Sequence, residues 1–118
     1  AKLIALAGIV LGYAFSSWAL VENRFFSGTV RIQTERGHHV VSSGPYRFVR
    51  HPGYAGALLG YVLIPVLLDS PWAFLPTGLL VIVMVIRTAL EDQTLQIELP
   101  GYAEYAQQTR YRLIPGIW

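Results

Sequence analysis

Two groups of residues in this sequence have the types and spacing that chemistry needs. The first is a polar, basic and aromatic segment, Gly37 to Tyr54 (GHHVVSSGPYRFVRHPGY), which holds all three histidines and two of the nine Lys and Arg residues. It closes on Arg50-His51-Pro52-Gly53-Tyr54 and runs straight into an uncharged apolar stretch. The second, Arg87-Thr-Ala-Leu-Glu91, emerges from another apolar run. Four-residue spacing sets its base and acid on one helical face. A guanidinium can grip a carboxylate through two parallel hydrogen bonds, and a carboxylate one turn away can accept bonds from a cationic ligand. Such a pair suits a reaction joining a negative nucleophile to a positive electrophile. The plainer reading is an i, i+4 ion pair, worth about 0.3–0.5 kcal/mol where exposed. Ionisable residues at the edge of a span that face a bundle interior are, however, functional candidates by default.

Other chemistries lack their residues. There is no Gly-rich phosphate loop, no His/Cys/Asp set at zinc spacing and no readable Ser/His/Asp arrangement. Neither a metal nor a nucleic-acid partner is expected. No histidine has an i, i+4 histidine partner or lies mid-span, which argues against haem. The absence of cysteine excludes disulfides and thiolate chemistry. His39 reads as readily as a hydrogen-bonded structural group, whereas His38 and His51 sit inside a longer pattern.

The elements that must position these residues are apolar. Of the 118 residues 53% are hydrophobic and 14% charged, against about 25% charged in a soluble domain. The missing charge leaves three gaps free of Asp, Glu, Lys, Arg and His: Leu3 to Val21, Pro52 to Leu68 and Ser70 to Ile86. A span needs roughly 17–25 such residues, so the first is comfortable and the other two are short but admissible. The first gap is too long for the apolar core of a secretory leader and lacks a small-residue cleavage site, so it reads as a retained span. The chain opens at Ala1, without Met, two residues before that span, and a piece of a longer protein lacking N-terminal helices is one expectation.

Charge placement orients the spans. Arg24, Arg31, Arg36, Arg47 and Arg50 lie between the first two, and Arg87, Arg110 and Arg112 beyond the third, while Asp69-Ser70-Pro71 carries no Lys or Arg. The positive-inside rule puts both polar segments in the cytoplasm and the short turn outside, making the last two spans an antiparallel hairpin. Arg24, Arg110 and Arg112 suit headgroup anchoring. Val30 and Ile32 centre a short strand-like run, with Phe25 and Phe26 at interfacial depth. Ser42-Ser43-Gly44-Pro45 is turn chemistry, and Pro52 fits a first helical turn. Gly53, Gly56 and Gly60 line one side of the following helix, suited either to close helix packing or to a ligand's approach. Arg87, Glu91 and Leu95 share a stripe that carries the third helix past the membrane, with Leu99-Pro100-Gly101 as its stop. A short helix, Tyr102 to Thr109, is expected at the interface, presenting Tyr102 and Tyr105.

The run His38-x-Val40-Val41-x-Ser43-Gly44-x-Tyr46, then Arg50-His51-Pro52-Gly53-Tyr54, Arg87-x-x-x-Glu91-x-x-x-Leu95 and Gly101-Tyr102-x-x-Tyr105, resembles the isoprenylcysteine carboxyl methyltransferases. These belong to a wider group of small membrane methyltransferases that includes phospholipid N-methyltransferases. The resemblance covers roughly residues 25–118. It implies an all-α integral membrane helical bundle with S-adenosylmethionine held on the cytoplasmic side. By that analogy Gln33, His38, His39, Val40, Val41, Tyr46, His51, Pro52, Gly53, Tyr54 and Glu91 contact the cofactor and Arg87 meets the substrate carboxylate, which makes Arg87 and Glu91 the candidate catalytic residues. The stretch from Gln33 to His38 is two residues shorter than in the eukaryotic enzymes, which also have more spans. The compact form is closer to bacterial members, which implies a bacterial inner membrane.

The resulting expectation is a single domain over 1–118, with transmembrane helices at about 3–21, 52–68 and 70–86, cytoplasmic cofactor-binding segments and a short C-terminal amphipathic helix. It would act within the lipid bilayer on a lipid-linked, isoprenylcysteine-like carboxylate by direct in-line displacement. A carboxylate is already ionised at neutral pH, with an ordinary pKa near 4, so no general base is needed. Near-attack positioning can then supply about 7–11 kcal/mol. An amine acceptor, the alternative, must lose a proton, which would give His51 or Glu91 acid–base work. Arg87 favours the carboxylate because it would repel an ammonium. Two further readings are an NADPH-dependent membrane reductase, since sterol reductases share a similar C-terminal block, and a non-enzymatic membrane scaffold.

Overall fold

In a computed structural model, which describes residues 1–26 and 32–118, every regular element among the described residues is helical. Helix α1 spans Lys2–Glu22, α2 Pro52–Leu67, α3 Phe74–Glu98 and α4 Tyr102–Gln108, with single 3₁₀ turns at Thr34–Arg36, Gly44–Arg47 and Pro71–Ala73. Of the expected strand-like run, Val30 lies outside the described residues, and Ile32 packs, partly buried, against the core.

Two stretches, Lys2–Glu22 and Pro71–Glu98, are long and apolar enough to cross a membrane. The 16 residues of α2 reach about 24 Å at about 1.5 Å per residue. The large apolar side chains of the long helices point outward: Leu3, Leu11 and Val21 on α1, and Leu79, Ile82 and Val83 on α3, are each more than half exposed. A soluble protein's core helix would bury such a row, since apolar surface gains by leaving water.

What α1 buries is small. Ala5, Gly12 and Ala19, spaced by sevens, form one narrow seam of the kind that faces a single partner helix. Of that seam, Gly12 meets the buried Gly56 and Gly60 of α2. A Cβ added at Gly56 would collide with the Gly12 carbonyl and with Ser16, so the two backbones touch there. Ser16 Oγ donates to the Gly53 carbonyl at 2.9 Å across the same crossing. For Gly56 the packing reading therefore holds, as in other small-xxx-small contacts. A Cβ at Gly53 would strike the Phe26 ring, whereas one at Gly60 would meet nothing within 4 Å.

The polar end is built by the chain reversals. After α2, Asp69 takes a left-handed φ of 55°, and the bonds Asp69 N–H to Val66 O (3.2 Å) and Ser70 N–H to Pro65 O (3.0 Å) form a Schellman closure. The chain then returns as α3 against α2, the expected hairpin. Pro71 falls in the 3₁₀ turn and Pro76 in the first turn of α3, where a helix lacks acceptors for its N–H groups anyway. Helix α3 runs unbroken past Ile86, as the Arg87/Glu91/Leu95 stripe implies, and Gly101 (φ 86°) turns the chain into α4.

One expectation fails here. Tyr102 and Tyr105 are not presented outward. They are buried, with Ala19, Tyr46, Leu99 and Ala106, in the compact core of the polar end. Their hydroxyls find partners inside, Tyr105 donating to the Tyr46 carbonyl at 2.6 Å and Tyr102 to Asp92 Oδ1 at 2.8 Å, which removes the usual reason for a tyrosine to keep its tip wet. The tail is tied in as well: the N–H groups of Arg50 and His51 donate to the carbonyls of Tyr111 and Arg112, both at 2.9 Å.

Candidate functional site

The first turn of α2, the polar stretch of α3 and the segment 38–46 line an open cleft. Pro52 occupies the first position of α2, where its fixed φ is already helical, and so delivers Gly53 and Tyr54 at the cleft wall. Gly44 adopts a φ of 60°. Beside it Ser43 Oγ donates to Glu22 Oε1 at 2.7 Å. This turn brings the buried Tyr46 inward.

On the α2–α3 side, Tyr54 is the link. Its hydroxyl donates to Glu91 Oε2 at 2.5 Å and accepts from Arg87 Nε at 3.0 Å, while the Arg87 guanidinium lies 5.7 Å above the Tyr54 ring. Phe26 meets that ring edge-on and His51 stacks parallel to it, each at 6.0 Å between centroids. Val40, Val41, Leu95 and Leu99 give the cleft its apolar surface, and Asn23 joins Tyr46 at its polar margin. Burial pushes the Tyr46 hydroxyl up to about 12, with the Asn23 side chain pulling the other way. Burial also pushes the hydroxyls of Tyr102 and Tyr105 above the ordinary tyrosine range.

Beneath the cleft sits a charge cluster centred on Asp92, whose side chain is 2% exposed. Arg50 grips it with both ends of its fork, Nε to Oδ1 at 2.9 Å and Nη2 to Oδ2 at 2.8 Å. Arg50 Nη1 also reaches the carbonyls of Ala106, Thr109 and Arg110 at 3.2, 3.4 and 3.3 Å. One guanidinium therefore joins α3, the end of α4 and the tail. His51, Gln96, Tyr102 and Arg112 supply further bonds to Asp92.

The model of the isoprenylcysteine carboxyl methyltransferase family matches residues 3–97. This chain belongs to that family. It is similar to a rice protein (Oryza sativa subsp. indica) named "Probable protein-S-isoprenylcysteine O-methyltransferase", with 35% identity over 69 residues, covering 58% of this chain and 36% of the relative. Protein-S-isoprenylcysteine O-methyltransferase B of Arabidopsis thaliana is 34% identical over 67 residues, covering 56% of this chain and 34% of the relative. The chain thus spans about a third of the length of the curated relatives it matches.

Within this family member, the cleft gathers His38, His39, Val40, Val41, Tyr46, His51, Gly53, Tyr54 and Glu91 of the residues singled out from sequence. Three others stand elsewhere. Arg87 lies behind the Tyr54 hydroxyl rather than in the wall. Pro52 is buried at the head of α2. Gln33 is 1% exposed and committed to its own loop: its amide donates to the Phe25 carbonyl at 2.7 Å and its oxygen accepts from Arg36 Nη1 at 2.6 Å. That buried amide cannot also face a ligand. It holds the loop that carries His38, whose Nδ1 accepts from the Gln33 N–H at 3.0 Å and whose ring stacks on Phe25 at 4.4 Å. Phe25 is accordingly buried, not interfacial. Arg24 lies over the same ring at 4.7 Å and donates to the Arg36 carbonyl at 2.6 Å.

Sequence reasoning passed over Asn23, Asp92 and the burial of Arg50. A signal existed for Asp92: it is an acid next to Glu91 with Gln96 one turn on. It falls off the Arg87/Glu91 stripe, however, and nothing local pairs it with a base.

Proposed function

We propose that this chain holds S-adenosylmethionine in the cleft and methylates the carboxylate of a membrane-associated, lipid-linked acceptor of the isoprenylcysteine type. The observation that carries the reading is the Arg87–Tyr54–Glu91 chain, which keeps a group for an anion and a group for a cation at fixed spacing where the cleft meets the apolar helices. The cleft's donor set fits the cofactor. Glu91 would hold its positive end, the rings of Phe26 and Tyr54 offer the faces that attract cations, and Val40, Val41, Leu95 and Leu99 suit its flat base. When bound, S-adenosylmethionine supplies an electrophilic methyl group. Arg87 would take the acceptor's carboxylate, Tyr54 would fix the distance between Arg87 and Glu91, and the stacked rings would exclude water. No residue need remove a proton, because the acceptor is ionised already; positioning is the work.

In this proposal residues 1–118 form one membrane domain of three spans, the short α2 completing the two longer ones, with α4 lying at the interface. The arginine-rich end faces the cytoplasm. The outward rows of Leu, Val and Ile on α1 and α3 support it, and an acceptor with an apolar tail could enter sideways from the bilayer. The relatives named are plant proteins and lend nothing to a bacterial inner membrane.

The test uses detergent-solubilised protein, methyl-labelled cofactor and a farnesylcysteine derivative. Label released as methanol by mild alkali marks an ester. Base-stable label would point to the amine reading, and failure to bind S-adenosylhomocysteine would remove the cofactor.

A further inference from the structure

His51 faces two neighbours through one nitrogen. Nε2 lies 3.1 Å from Asp92 Oδ1 and 3.5 Å from the Tyr102 hydroxyl oxygen. Tyr102 has already given its proton to Asp92 Oδ1 at 2.8 Å, so both atoms facing Nε2 are acceptors. Asp92 has no role to exchange. The two oxygens of its carboxylate meet two nitrogens of Arg50, together with Gln96 Nε2, Tyr102 Oη and Arg112 Nε. Every one of those partners is a donor, as an ionised, acceptor-only carboxylate requires, and Oδ1 carries two of them against three on Oδ2. The neutral imidazole can carry its proton on either nitrogen, and both neighbours of Nε2, an anionic oxygen and a hydroxyl oxygen whose proton goes to Asp92, favour it there.

We infer that Asp92 is a positioning residue that fixes His51 as the Nε2–H tautomer and so turns Nδ1 to the cleft as a hydrogen-bond acceptor. The ring lies parallel to Tyr54 within 6°, and turning Nε2 off Asp92 would forfeit the 3.1 Å contact, while the His51 backbone N–H is tied to the Arg112 carbonyl at 2.9 Å. His51 is part of the cleft wall. No described residue pairs its Nδ1, and among the described residues no fully buried side-chain nitrogen or oxygen lacks a partner, which leaves Nδ1 open to the cleft. Its partner must be a donor of the bound molecule. The inference rests on the cofactor reading only for that molecule's identity, since S-adenosylmethionine carries ammonium, ribose hydroxyl and adenine amino donors.

The experiment is a nitrogen NMR spectrum of the full chain, labelled with ¹⁵N-histidine in detergent and recorded where the ring is neutral, His51 being assigned by its loss in His51→Gln. Wild type is expected to show Nδ1 as the unprotonated nitrogen. In Asp92→Asn the amide nitrogen, kept off the doubly cationic Oδ2 side, faces His51. The ring should then shift its proton to Nδ1, and the affinity for S-adenosylhomocysteine should fall about tenfold. Tyr102→Phe leaves Asp92 in place and should keep the wild-type tautomer. An unprotonated Nε2 in wild type, or an unchanged His51 in a folded Asp92→Asn, overturns the inference. If Asp92→Asn does not fold, the wild-type and Tyr102→Phe spectra decide it. Wild type that shows the expected tautomer but binds no S-adenosylhomocysteine overturns the cofactor reading instead, and leaves the tautomer assignment intact.

Discussion

Two arginines bind one carboxylate in this protein, and removing each should have very different consequences. Arg50 makes two bonds to Asp92, of 2.9 and 2.8 Å, and the two side chains are 5% and 2% exposed. Arg112 makes one, through Nε at 3.2 Å, and its side chain is 31% exposed. Arg50→Met leaves the buried Asp92 with only the partly exposed Arg112 as a guanidinium partner and strips the donor from the carbonyls of Ala106, Thr109 and Arg110; breaking a buried pair from one side costs about 3–5 kcal/mol. Arg112→Met leaves the Arg50 fork in place and gives water access to what it vacates, which puts it in the range of exposed pairs, about 0–1 kcal/mol. Arg50→Lys should fall between them at about 1–3 kcal/mol, because an ammonium keeps the charge but cannot reproduce the fork. The assay is reversible unfolding in mild detergent followed by the fluorescence of the three tryptophans, with Trp118 checked separately because Arg112 lies 4.9 Å over its ring. Equal losses for Arg50→Met and Arg112→Met, or a loss under about 1 kcal/mol for Arg50→Met, would refute the claim that burial and fork geometry set the worth of this pair.

Three other outcomes follow from the same geometry. Gly56→Ala should destabilise by about 1–3 kcal/mol, since its methyl group has only the Gly12 carbonyl and Ser16 to push against. Gly60→Ala meets open space and should gain up to about 1 kcal/mol of helix propensity; thermal unfolding of the pair checks both signs. Glu91→Gln keeps an acceptor for the Tyr54 hydroxyl but loses its charge, so S-adenosylhomocysteine affinity should fall about five- to tenfold with little change in stability; calorimetric titration measures the first and unfolding the second. Alkaline titration should reveal Tyr46. Its hydroxyl is pushed up to about 12 in the fold against an ordinary value near 10, so the unfolded chain ionises first. Stability should be complete below about pH 10 and drain away as pH rises towards 12, with a shallower fall in Tyr46→Phe.

The helices were the legible part of this fold because they obey local rules. Charge-free runs of span length marked α1, α2 and the apolar part of α3 to within a few residues. Pro52 and Gly101 marked a start and a stop, since their backbone preferences act within one turn. Much of the cleft was legible for a different reason: its residues cluster in two short blocks, and one helical stripe carries Glu91. What sequence did not show were pairings between distant segments. Tyr102 and Tyr105 have the composition of interfacial tyrosines, and only the approach of Asp92 and of the Tyr46 carbonyl makes their burial favourable. Gln33 looks like a ligand contact until Phe25 and Arg36 are seen to consume both ends of its amide. Asp92 is the sharpest case. Alone on a helix it is an ordinary solvated acid, and its role exists only because Arg50, 42 positions earlier, reaches it beneath the cleft. The dependence runs one way. The blocks that line the cleft can be found without knowing what lies under them, but their geometry is held by a buried carboxylate, Asp92, that no block contains. Substitutions at Asp92, which does not line the cleft, should therefore alter ligand affinity as well as stability, while touching no ligand.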